Sequence, residues 1–168
     1  MSETNRAATP GTEVAIVIER VIDAPRTLVW KAWTESEHIA QWWGPKGFAT
    51  RVEQNDVRVG GRTRYVMIGP DGNEYPGEGV FREIVPLERI VTTDEFGDEH
   101  PGFADEDLPR GIVLTVLFED LGERTRVTLN IAHTSAEERR KHEKMGVVAG
   151  WNSSLDCLAE HLKTMARS

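Results

Sequence analysis

The chain has 168 residues, 39% of them hydrophobic and 29% charged, with a formal net charge of −8. That length suits one domain able to bury most of its unfolded surface, and the negative balance argues against nucleic acid and anionic membranes, which select basic patches. No apolar run reaches the length of a membrane span, the first residues lack the apolar core of a signal peptide, and Cys157, the single cysteine, excludes an intrachain disulfide.

A cytoplasmic location is the default expectation. Residues 1–12 are polar and contain Pro10 and Gly11, which predicts a flexible tail before a single domain over residues 13–168. The run VAIVIERVI, Val14 to Ile22, is rich in β-branched residues and predicts a first strand. Asp23-Ala24-Pro25 ends it and opens a short helix carrying Leu28, Val29, Trp30, Ala32 and Trp33. Thr34 followed by Glu37 has the spacing of a capping box for a second short helix through Trp42, which Trp43-Gly44-Pro45 must end. Four of the five tryptophans fall between Trp30 and Trp43, and such a cluster is either a packed mini-core or the wall of a pocket.

Strands follow. Thr50 to Asp56 predicts one, and Arg62 to Ile68 another whose alternation sets Thr63, Tyr65 and Met67 on one face. Glu74 to Val85 and Glu88 to Phe96 flank Pro86-Leu87, with Gly77 and Gly79 marking a bulge or a close backbone approach. Ile112 to Glu119 and Thr125 to His133 form a hairpin around Leu121-Gly122-Glu123. Between them, Asp94 to Asp107 holds seven acids and fits no calcium-loop spacing, so it predicts a solvated surface loop.

The last element runs from Ser135 to about Arg167. Val147, Val148, Trp151, Leu155, Leu158, Leu162 and Met165 recur at helical spacing and predict one buried face, and Ser135 with Glu138 is a capping box. Glu137, Arg140 and Lys144 occupy the same side in the first turns, so that end protrudes or borders an opening. Gly146, Gly150, Ser153 and Cys157 make a strip of small side chains, for close packing or for ligand space.

Catalytic motifs are missing. There is no HExxH, GxSxG, P-loop or strand-linked GxGxxG, and the five histidines form no cluster with metal-ligand spacing, so neither a metal nor a cofactor is expected. The element order nonetheless predicts an α+β fold: a curved antiparallel sheet of about six or seven strands wrapped around a long C-terminal helix, with two short helices after the first strand. A single helix fills only part of such a concave face. The remainder is a largely apolar cavity of the kind that takes small molecules.

The series Asp23-Ala24-Pro25 with Val29-Trp30, then Trp42-Trp43-Gly44-Pro45-Lys46-Gly47-Phe48, carries a family resemblance. It continues through Asp56-Val57-Arg58-Val59-Gly60-Gly61, Met67 before Pro70-Asp71-Gly72, Gly79 with Glu83-Ile84 and Pro86, and Gly150-Trp151 before Leu155-Asp156 and Leu158. The chain thereby resembles the START-like (SRPBCC) superfamily with the helix-grip fold, and within it the activator of heat-shock-protein-90 ATPase homologue family. Relatives include lipid and hormone binders, aromatic polyketide cyclases and a domain of a eukaryotic co-chaperone.

The tryptophan cluster, the helix glycines and the resemblance together leave three readings, the second implied by the resemblance alone. The first is a protein that binds a small apolar, lipid-like or aromatic ligand, with Trp43, Tyr65, Met67, Phe81 and Trp151 as wall residues. The second is a chaperone-type interaction module. The third is a cyclase- or hydrolase-like enzyme whose acid–base groups would come from Tyr65, Glu83 or His133. A monomer and a homodimer are both compatible with the sequence.

Overall fold

The computed structural model describes residues 14–96 and 107–166; the expected tail and most of the acidic stretch lie outside them. In chain order the elements are β1 (Ala15–Ile22), α1 (Arg26–Thr34), α2 (Ser36–Trp42), β2 (Ala49–Asn55), β3 (Arg62–Ile68), β4 (Glu74–Val85), β5 (Arg89–Phe96), β6 (Ile112–Asp120), β7 (Thr125–Ala132), α3 (Ala136–Lys144) and α4 (Val147–Ala166). The strands form one antiparallel sheet in the order β1-β7-β6-β5-β4-β3-β2. The first strand therefore closes against the last, in a register that runs from Ala15 opposite Ala132 to Ile22 opposite Thr125. Register shifts at Val52/Gln54 and Phe81/Glu83 bend the sheet. None of the described helices is long and apolar enough to cross a membrane.

Strand alternation decides where the core sits. Ile16, Ile18 and Ile22 of β1, Leu114, Val116 and Phe118 of β6, and Val127, Leu129 and Ile131 of β7 all turn inward and are buried. They meet Leu155, Leu158 and Leu162 of α4. Arg20 fastens β1 to the same helix, donating to Asp156 Oδ1 at 2.8 Å and to Asn152 Oδ1 at 3.1 Å. One end of the sheet is thus filled. The other end, under β3 to β5, faces the first half of α4, where the side chains are smaller.

The C-terminal segment is two helices rather than one. Gly146, at φ +82°, separates α3 from α4, and the Gly146 amide donates to the Glu143 carbonyl. The charged first turns belong to α3 and need not share the buried stripe of α4. Val148, counted in that stripe from its spacing, is 44% exposed. Ser135 caps α3 as its sequence signature indicates, its hydroxyl accepting from the Glu138 amide at 3.2 Å. The Glu138 carboxylate completes a different bond, accepting from the Arg110 amide at 2.7 Å.

The two helix glycines should answer substitution with opposite signs. A Cβ at Gly146 meets nothing within 4 Å, so Gly146→Ala suffers only the left-handed backbone, a loss of roughly 1–2 kcal/mol. Gly150 lies inside α4 with only Pro45 Cγ at 4.0 Å, so Gly150→Ala should gain up to about 1 kcal/mol of helix propensity. Urea denaturation of both variants checks the pair; equal shifts would contradict it.

Candidate functional site

The tryptophan cluster divides into two layers. Trp42 is fully buried, its indole N–H donating to the Ala32 carbonyl at 2.9 Å, and Trp33 packs on it with ring centroids 4.6 Å apart. These two are core. Trp43 and Trp151 stand outside them, half-buried and edge to face at 5.2 Å, with Trp151 stacked parallel to Trp33 at 6.2 Å. The cluster is therefore a mini-core backing a wall.

That wall borders a cavity of about 270 Å³ between the open end of the sheet and the start of α4. Tyr65, Met67, Tyr75 and Phe96 line it from the sheet, Trp43 and Phe48 from the segment between α2 and β2, and Met145, Val147, Gly150 and Trp151 from the helical side. A deeper cavity of about 50 Å³ continues toward Phe81, Ile90, Leu114 and Val116. Trp43, Tyr65 and Asp94 belong to both linings. All five residues expected as walls line one or both: Met67 and Trp151 the outer cavity, Phe81 the inner, Trp43 and Tyr65 both.

Local structure explains how Tyr65 comes to lie there. It sits directly opposite Gly77 in the β3–β4 ladder, and a Cβ on Gly77 would fall 2.6 Å from its ring and hydroxyl. The missing side chain lets the phenol ring fold across β4. Trp43 meets it edge to face, with ring centroids 5.4 Å apart. Burial first, and the nearby Asp94 second, hold the phenol well above its ordinary pKa, so it remains protonated.

Asp94 falls both at the end of the strand expected over Glu88–Phe96 and at the start of the expected solvated loop. It belongs to β5, where Ile90, Thr92 and Asp94 alternate toward the inner cavity. Burial, reinforced by the adjacent Glu95, pushes its carboxyl up to about 6. No lysine or arginine appears among the described residues lining either cavity. Asn55 is a second polar group there. Its amide donates to the Thr34 carbonyl at 2.9 Å, while its buried Oδ1 has no partner among the described residues, and the residue lines the inner cavity.

Of the three acid–base candidates, only Tyr65 reaches the cavity. Glu83 lies on the outer surface, paired with Arg89 at 2.9 Å and 3.1 Å, and that pairing holds its carboxyl below the usual range. His133 is buried outside both linings; its Nδ1–H donates to the Val14 carbonyl at 2.6 Å. Its Nε2 must then accept, so His142 Nδ1–H donates to it at 3.0 Å, leaving a lone pair on His142 Nε2. His142 lines the outer cavity, and burial, with His133 adding to it, lowers its pKa to about 4. Burial also pushes the Cys157 thiol up, which fits a structural rather than a nucleophilic cysteine. Glu35, Glu37 and His38 bring ligand atoms within 4.8 Å of one another, but on an exposed helix start where His38 already contacts His161 at 2.9 Å.

Comparison with known proteins agrees with this architecture. A solution NMR structure of a protein from Arthrobacter aurescens is 29% identical, covers 93% of this chain and 90% of its own, and superposes with a TM-score of 0.83. A crystal structure from Nitrosomonas europaea is 27% identical, with coverage of 93% and 98% and a TM-score of 0.76. An AHSA1 protein from Silicibacter pomeroyi, 22% identical over 90% of this chain and 99% of its own, shares the fold with a TM-score of 0.68. No curated protein matches the chain. Residues 23–163 match the family model described as activator of Hsp90 ATPase homolog 1-like protein, and with the helix-grip arrangement of sheet and C-terminal helix they place the chain in that family.

Proposed function

We propose that this protein binds a small, largely apolar or aromatic molecule in the cavity between the sheet and α4, with Trp43, Tyr65, Met67, Phe81 and Trp151 in contact with it. The observation that carries the reading is the outer cavity of about 270 Å³. Protein interiors pack to crystal density, so an unfilled space of that size walled by aromatic rings is not a packing remainder. It falls just below the roughly 300–1,000 Å³ of ordinary small-molecule sites, which favours a compact ligand. The family's fold, which commonly binds hydrophobic ligands, supports the same reading. An enzymatic use gains nothing from Glu83 or His133, which lie away from the cavity, and the chaperone reading rests on the family description alone.

Native mass spectrometry of freshly purified protein tests the proposal. A discrete mass released on denaturation is the expected result. Gly150→Phe, which places a ring in the cavity at a position with open space, should return the apo mass while the protein stays folded. Retention of the same mass by that variant would put the ligand elsewhere.

A further inference from the structure

We infer that the ligand carries a hydrogen-bond-donating cationic head, an amine on an apolar or aromatic body, and that Asp94 receives it. The inference rests on the cavity reading and adds the charge of the ligand to it. Among the described residues lining the outer cavity, Asp94 is the single charged side chain, and none has the opposite sign. Three acceptors stand around the two cavities: the Asp94 carboxylate, the Asn55 Oδ1, which has no partner among the described residues, and the lone pair of His142 Nε2. The hydroxyls in the linings are neutral: that of Thr92 donates to the Val80 carbonyl, and those of Tyr65 and Ser154 can serve a ligand as donor or acceptor.

A carboxylate or phosphate ligand would meet a like charge and no lysine or arginine among the described lining residues. An ammonium would meet the opposite situation. It would pair with Asp94 and lie against the faces of Trp43 and Trp151, whose quadrupoles attract cations. The other charged or titratable groups around Asp94 do not supply this. Glu95 has the same sign and is exposed, Tyr65 and His142 are neutral, and Glu78 faces Arg62 and Arg64 at 3.7 Å and 3.6 Å. Arg82 and Arg110 line a separate cavity of about 190 Å³ that Asp94 also borders. A carboxylate with no cationic partner among the described residues, and burial enough to raise its pKa, is costly to keep, and a cationic ligand is what would offset it.

The test is a matched series on one ring system: 1-naphthylmethylamine, 1-naphthalenemethanol and 1-naphthoate, titrated by calorimetry at about pH 8, where the Asp94 carboxyl is ionised. The amine is expected to bind roughly tenfold or more tighter than the alcohol, and the acid most weakly. Asp94→Asn should bring the amine down to the level of the alcohol. Glu95→Gln, which removes a charge from the same strand outside the two linings, should keep the preference and so exclude a general effect of net charge. Equal binding of amine and alcohol, or a preference that survives Asp94→Asn, would overturn the inference while leaving the cavity reading in place. Failure of all three compounds to bind would overturn both.

Discussion

Gly77→Ala should remove most of the ligand affinity while taking only part of the stability. The added methyl would sit 2.6 Å from Cζ and Oη of Tyr65, so the ring must tip off β4. The space open to it is the cavity that it now lines, bounded by Trp43 on the neighbouring side. Tipping loses the edge contact with Trp43 and fills volume that the ligand needs. Affinity for a neutral aromatic probe should fall at least tenfold, on the order of 1.4 kcal/mol, with a stability loss of roughly 1–3 kcal/mol from overpacking. Gly79→Ala is the contrasting case. There a Cβ would lie 2.1 Å from the Thr93 carbonyl oxygen, which is backbone and cannot rotate aside. The β4–β5 ladder would have to open, and the loss should exceed that of Gly77→Ala. Calorimetric titration beside urea denaturation separates the two, and wild-type affinity in Gly77→Ala would remove Tyr65 from the binding wall.

The contrast also marks what a sequence can carry. Alternation and β-branched runs located all seven strands, because sheet periodicity is written residue by residue. The same alternation passes through Ile90, Thr92 and Asp94, so the inward position of Asp94 was legible in principle. The density of acids that follows it suggested solvent instead, so composition and period disagreed there. The capping signature at Thr34 failed for a local reason. Thr34 is still inside α1, where its hydroxyl donates to the Trp30 carbonyl at 2.8 Å, and Glu35 caps both helices. A residue already in helical geometry cannot serve as the N-cap of the next helix.

The break at Gly146 was hidden for a different reason. A glycine inside a periodic pattern reads equally as a weak helix position or as a left-handed joint, and only packing chooses between them. Here α3 turns away so that His142 can reach His133 and Phe96, the latter with ring centroids 5.8 Å apart. The histidine pair and the orphaned Asn55 Oδ1 depend on contacts between residues distant in the chain. No spacing rule reports such contacts.

Asp94 and His142 should make the stability of this protein respond to pH in opposite senses, and Asp94→Asn should expose one of them. His142 has a folded pKa of about 4 against an ordinary 6.5, so it contributes stability above 6.5 that is lost as the pH falls toward 4. Asp94 is raised from 3.8 to about 6, so its contribution is complete below 3.8 and is lost as the pH rises through 6. Each change is on the order of 2 kcal/mol, and between about pH 4 and 6.5 the two largely offset each other. Glu83 and Glu138, whose carboxyls are held low, add their own losses only as the pH falls below about 4.5. Asparagine at position 94 keeps the shape and removes the buried charge. The variant should be more stable than wild type at about pH 8, by on the order of 2 kcal/mol, and should lose that advantage steadily on acidification. Thermal unfolding from about pH 8 to 5 in ligand-free protein is the measurement. A wild-type profile parallel to that of Asp94→Asn would mean that Asp94 does not carry a buried charge. An advantage that shrinks toward low pH would mean that the binding site holds a carboxylate at the expense of stability, as a group kept for a cationic ligand would.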